Sequence, residues 1–135
     1  MTRSLLRPLT CGVLAVASIA LLAGCSASAT DEVLASGDAA IVPASATSDL
    51  TETIVDDSLR RLGEDSEGHT YYVAEASDPA TGLCILIDGL DDGPVLGCGA
   101  MPLTVSSGGV SARLSINMTP VDSGERIGDF LVVHP

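Results

Sequence analysis

The amino-acid sequence predicts an α+β domain, mainly β: a small antiparallel sheet of about five strands with one N-terminal helix, stapled by a disulfide. Three observations predict it. Residues 69–133 hold short β-prone runs separated by Gly-, Asp- and Pro-containing turns. One capped stretch with apolar residues at helical spacing precedes them, starting at Asp49. Cys84 and Cys98 fall on neighbouring runs joined by a short acidic loop.

The chain opens with a segment that does not belong to this domain. Arg3 and Arg7 give residues 1–24 a positive start, and an apolar run extends from Leu9 to Leu22. That run is shorter than the roughly 20 residues a membrane-spanning helix needs. It ends Leu22-Ala23-Gly24-Cys25, an aliphatic residue, two small residues and a cysteine. This resembles the lipobox of bacterial lipoprotein precursors. The resemblance implies a signal peptide over 1–24, removed after the Cys25 thiol accepts a diacylglyceryl group, with palmitate-type acyl chains as the membrane anchor. It implies a location on the extracytoplasmic face of the cell membrane. Cys11 is no competing site, because Pro8-Leu9-Thr10 lacks the small residues.

Residues 25–48 follow as the lipidated cysteine and an Ala/Ser/Thr-rich stretch with sparse apolar bulk: Val33, Leu34, Ile41 and Val42. Such a composition offsets little ordering entropy, so a flexible tether is expected, reaching roughly 25–30 Å as a coil.

Residues 49–135 are the expected domain. Asp49 and Glu52 fit a capping box, and Leu50, Ile54, Val55, Leu59 and Leu62 mark an apolar face of about three helical turns that stops at Gly63. Strands are predicted next. His69–Ala76 is β-prone around Tyr71-Tyr72-Val73, and Ser77–Gly82 is a turn. Leu83–Ile87 is apolar throughout, the pattern of a strand buried on both faces. Val95–Ala100 is a strand weakened by Gly97 and Gly99. Leu103–Val105 and Val110–Asn117 form a hairpin around Ser106–Gly109, the second arm alternating Val110, Ala112, Leu114 and Ile116 against polar partners. Phe130–Val133 closes the sheet.

Aromatic residues are only Tyr71, Tyr72 and Phe130, so the core rests on aliphatic side chains and gains from a covalent staple. A Cys84–Cys98 disulfide supplies one, and an exported domain is where such a bond persists. A reactive thiol is the alternative, but the acidic surroundings oppose a thiolate, and there is no Cys-x-x-Cys.

Charge excludes several roles. Every basic residue is Arg, and removing Arg3 and Arg7 with the leader takes the formal charge from −12 to −14. This surface repels nucleic-acid phosphates and anionic headgroups alike, so no nucleic-acid partner is expected and membrane attachment falls to lipid.

Candidate chemistry is thin. Asp88, Asp91 and Asp92 share a Gly-containing loop and offer hard oxygen ligands, but their spacing departs from the EF-hand pattern; a solvated turn is the simpler reading. His69 and His134 fit no zinc or triad motif and read as exposed. Glu64, Asp65 and Glu67 form an acidic run that would need a cleft to act as a carboxylate pair. The outward one of Tyr71 and Tyr72, with Arg113, could form a contact patch.

A second resemblance rests on Asp57-Ser58-Leu59-Arg60-Arg61-Leu62-Gly63, Tyr71-Tyr72-Val73-Ala74, Gly82-Leu83-Cys84-Ile85-Leu86 and Gly97-Cys98. These strings are similar to a domain of small lipoproteins and membrane-attached proteins in high-GC Gram-positive bacteria. It implies a paired-cysteine β domain and carries no activity with it. The expected function is a membrane-anchored, non-enzymatic interaction or binding module without a cofactor, contacting a protein partner. The rivals are a solute- or Ca²⁺-binding envelope module and a small envelope hydrolase.

Overall fold

The computed structural model describes residues 28–118 and 123–135. Leu22-Ala23-Gly24-Cys25, the expected lipobox, lies outside them. The mainly β, antiparallel class is as the sequence predicts, but there are two sheets. The first has the order β1 (Asp38–Ala39), β2 (Arg60–Glu64), β3 (Thr70–Glu75), β4 (Leu83–Asp88), β5 (Val95–Gly99). The second comprises β6 (Leu103–Ser107), β7 (Val110–Leu114), β8 (Glu125–Ile127) and β9 (Leu131–His134), in the order β6-β7-β9-β8.

Alternation along the strands explains the packing. Tyr71, Val73, Leu83, Ile85 and Ile87 of the first sheet face Val105, Ala112, Leu114, Leu131 and Val133 of the second, forming the inter-sheet core. The intervening residues Ala74, Cys84 and Leu86 point to the other side of the first sheet. There Ile54 and Leu59 cover them, with partly buried Ala40, Val42 and Leu50 around them. That second layer is why Leu83–Ile87 is apolar without a break: both of its faces are buried.

Gly97 has a steric role. A Cβ there would sit 2.4 Å from Val105 Cγ2, so the residue lets β6 approach β5 where the two sheets meet. Gly97→Ala is expected to cost about 1–3 kcal/mol through overpacking, read as a lower urea midpoint at unchanged m.

Three local expectations are corrected. The helix expected from Asp49 to Leu62 is a short α-helix at Ser48–Glu52 and a 3₁₀ turn at Asp56–Ser58; residues 60–64 are β2. Thr51, Thr53, Ile54 and Val55 are β-branched and resist a helix that is marginal at three turns, whereas pairing with β3 satisfies the backbone of residues 60–64. The tether expected over 25–48 is ordered from Ser28 onward. An α-helix at Ala29–Ser36 (α1) starts at a capping box in which Asp31 N donates to Ser28 Oγ (3.2 Å) and Ser28 N to Asp31 Oδ2 (3.1 Å). Its Val33 is fully buried in the inter-sheet core. Asp38 and Ala39 then pair with Arg61 and Arg60, and Ala40 N donates to the carbonyl of Leu59. Ile116, expected inward, lies beyond the end of β7 and is 41% exposed.

Candidate functional site

The antiparallel order sorts the loops into two ends. At one end lie the 65–69 turn between β2 and β3, the 88–94 loop, the 107–110 turn and the end of β9. At the other lie residues 54–59, the 75–82 turn and the start of β6. The polar chemistry collects at the first end, in the β2–β3 hairpin.

Asp65-Ser66-Glu67-Gly68 reverses the chain, with Gly68 N donating to the Asp65 carbonyl (3.2 Å) and Gly68 at φ +92°, a conformation that favours glycine. The Asp65 side chain is buried under this turn and accepts four hydrogen bonds. Tyr71 Oη donates to Oδ2 at 2.7 Å, and His69 Nδ1 lies 2.8 Å from the same oxygen. The backbone N–H groups of Glu67 (3.0 Å) and His69 (2.9 Å) donate to Oδ1. Ser66 N and Oγ both donate to Glu125 Oε2, joining the turn to β8 in the other sheet.

Burial by itself would raise the Asp65 carboxyl. The hydrogen bonds from Tyr71, His69 and Glu67 together outweigh it and hold Asp65 below the ordinary carboxylate range. Burial first, and the Asp65 carboxylate second, push the Tyr71 phenol well above its usual value. The two shifts act on stability at opposite ends of the pH scale. Asp65 has a lowered folded value, so its contribution is present above about pH 4 and is lost as pH falls further. Tyr71 has a raised folded value, so its contribution is present below about pH 10 and is lost as pH climbs past it. Urea midpoints measured across both limbs are expected to fall at each end. Asp65→Asn should flatten the acid limb and Tyr71→Phe the alkaline one.

His69 is therefore not the exposed residue expected from the sequence: its side chain is 16% exposed and held by Asp65. With Nδ1 donating to the carboxylate, Nε2 is left as an acceptor in the neutral ring. A cavity of about 340 Å³ beside it is lined by Glu67, His69, Asp91, the Gly108-Gly109 turn, Val110 and Pro135. This arrangement can accept a proton or receive a cationic group; a nucleophilic hydroxyl or thiol is not among those lining residues.

Among the described residues, Asp65, Glu67 and His69 are the set of three ligand-type side chains whose donor atoms lie within 4.8 Å of one another. Each Asp65 oxygen already accepts two hydrogen bonds, one of them from His69 Nδ1, so a metal here would keep only Glu67 and His69 Nε2 as unencumbered ligands, short of the four a closed zinc site uses.

The other sequence candidates fall as follows. Cys84 and Cys98 are directly opposite on β4 and β5 and form a disulfide, S–S 2.02 Å, on the outer side of the first sheet. In the acidic loop, Asp88 accepts from Ser45 Oγ at 2.7 Å, Asp91 and Asp92 are exposed, and Leu90 between them reaches the inter-sheet core. The loop is thus anchored by an apolar side chain, as a structural turn would be. His134, expected exposed, is half-buried on β9, where it pairs in register with Ser111 of β7. Glu64, the first of the acidic run, lies 3.4 Å from Arg61. Tyr72 packs on the outer layer of the first sheet, whereas Arg113 alternates with Ala112 and Leu114 on the outer side of the second. The two residues lie on opposite sides of the molecule and do not form one patch.

Sequence reasoning named Asp65, His69 and Tyr71 separately and did not join them. The available signal was a single acid four residues before a histidine and six before a strand tyrosine, across a Gly-containing turn. No protein-family model, curated protein or solved structure matches the chain.

Proposed function

We propose that this chain is an extracytoplasmic lipoprotein whose stapled β domain serves as a non-enzymatic binding module at a membrane surface. The observation that carries the reading is the Cys84–Cys98 disulfide in a chain whose leader ends Leu22-Ala23-Gly24-Cys25. Disulfides persist where the surroundings are oxidising, and a cysteine after an aliphatic and two small residues is the substrate pattern for lipid transfer. The two signals come from unrelated parts of the chain and agree on export. The absence of lysine and the acidic balance favour lipid over charge as the means of attachment.

The binding role rests on the loop end that holds Asp65 and His69. Glu67, His69 and Asp91 line one cavity there, a setting that suits a cationic group on a partner better than an anion. Asp65 orients the imidazole and takes no part in contact itself, because its oxygens are already occupied.

Intact-mass spectrometry of the native protein from the membrane fraction tests the anchoring. The expected species starts at Cys25 and carries a diacylglyceryl group. An unmodified Cys25, or retention of residues 1–24, overturns the reading. Crosslinking in intact envelopes tests the second part: capture of the same protein by the wild type but not by a Glu67→Ala, Asp91→Ala variant is expected, and undiminished capture by that variant removes the loop end from the contact.

A further inference from the structure

We infer that the lipid anchor holds this domain directly on the bilayer in one orientation, with the Thr30, Val55 and 75–82 end facing the lipid headgroups and the Asp65–His69 end facing away. The inference rests on the proposed lipidation of Cys25 and extends it from attachment to presentation.

The first argument is length. Ser28 is already part of the fold, because its side chain and backbone both bond to Asp31 and α1 is held by the buried Val33. Only three Cα steps separate it from Cys25, a reach of about 11 Å at full extension. A coil of the whole 25–48 segment would have lifted the domain by more than twice that.

The second argument is position. Thr30, in the first turn of α1, lines a cavity with Val55, Glu75, Ala76, Ser77, Pro79 and Gly82. The start of α1 therefore sits at the end of the molecule where β3 finishes and β4 begins. Val55 is one of the exposed large apolar side chains and lies at this end. The turn carrying Asp65 and His69 is at the opposite end of β3, six residues away, or about 20 Å at the rise of a strand.

The third argument is charge. No lysine is present, and Arg60, the cation beside this end, stands among Asp56, Asp57, Glu75 and Asp78, so the anchored end carries a net negative charge. Attraction cannot set the orientation, so the short link from Cys25 must do so. The consequence is a bilayer as the partner of one end, and free access from outside to Glu67, His69 and Asp91 at the other.

The full lipidated chain in phosphatidylcholine nanodiscs containing a headgroup-nitroxide lipid provides the test, after its mass confirms the diacylglyceryl group. Amide signals of Ser77, Asp78 and Gly82 are expected to lose intensity several-fold more than those of Glu67, Asp91 and Gly109. Inserting about 20 Gly/Ser residues between Ser26 and Ala27, which adds a coil of roughly 25 Å, should remove that difference while the protein stays bound. Equal or reversed broadening in a lipidated sample overturns the orientation alone, as does a difference that survives the insertion. A sample without lipid on Cys25 overturns the anchoring and the orientation together.

Discussion

Removing the Cys84–Cys98 bond is expected to lower the unfolding free energy by about 3 kcal/mol, the chain-entropy value for a loop of this length. The two cysteines face each other on paired strands, so the native state needs no cross-link to bring them together. The effect lies in the unfolded chain, where reduction frees residues 84–98 to explore more conformations. A small aliphatic core leaves little reserve. Of the three aromatic side chains, only Tyr71 is among the largest fully buried ones. Urea unfolding of the native protein with and without reductant reads the difference, and a Cys84→Ala, Cys98→Ala variant should match the reduced protein to within the cost of a small void. A midpoint that does not move on reduction would show that the staple adds nothing.

Asp65→Ala is the second large effect, expected to cost about 3 kcal/mol. The substitution deletes one charged acceptor and abandons four donors. Those on Glu67 and on the backbone of His69 can turn to water at the edge of the hairpin. Tyr71 Oη cannot, because the residue is fully buried in the inter-sheet core. An unsatisfied buried hydroxyl costs about 1–3 kcal/mol, and the lost bonds to a carboxylate account for the remainder. Tyr71→Phe in the Asp65→Ala background should therefore recover part of the loss, since it removes the orphaned group. A double-mutant cycle between the two positions is expected to give a coupling of about 1–2 kcal/mol. Strict additivity would mean that the 2.7 Å contact contributes nothing to folding. His69→Gln should cost less than Asp65→Ala, because the amide can still donate to Oδ2 and the backbone bonds stay.

These effects bear on the proposed role in different ways. The disulfide fastens the edge strand β5 to β4, beside the layer formed by residues 40–59 on the outer side of the first sheet. Asp65 shapes the loop that would meet a partner. Glu125 then ties that loop to the second sheet through Ser66, so the end offered to solvent is braced from both sheets.

The strands that read clearly in the sequence are those whose signal is local. Leu83–Ile87 shows its double burial as an unbroken apolar run, and Val110–Leu114 shows its single burial as alternation. The pairing of Cys84 with Cys98 follows from their placement on neighbouring runs, and Leu22-Ala23-Gly24-Cys25, the proposed lipobox, is a contiguous string. None of these needs knowledge of distant residues. What only the tertiary structure decided depends on partners far along the chain. Residues 60–64 are a strand because β3 offers its edge, although their own spacing suited a helix. Ala29–Ser36 is an ordered helix because Val33, with partly buried Leu34 beside it, reaches the inter-sheet core, a contribution that composition averages away. The Asp65 network exists because a tight turn folds back over a strand tyrosine and exchanges water for four protein donors. Local pattern specifies which side chains seek burial; which segment covers them, and which buried acid finds its donors, is settled by contacts that form only once the sheets have met.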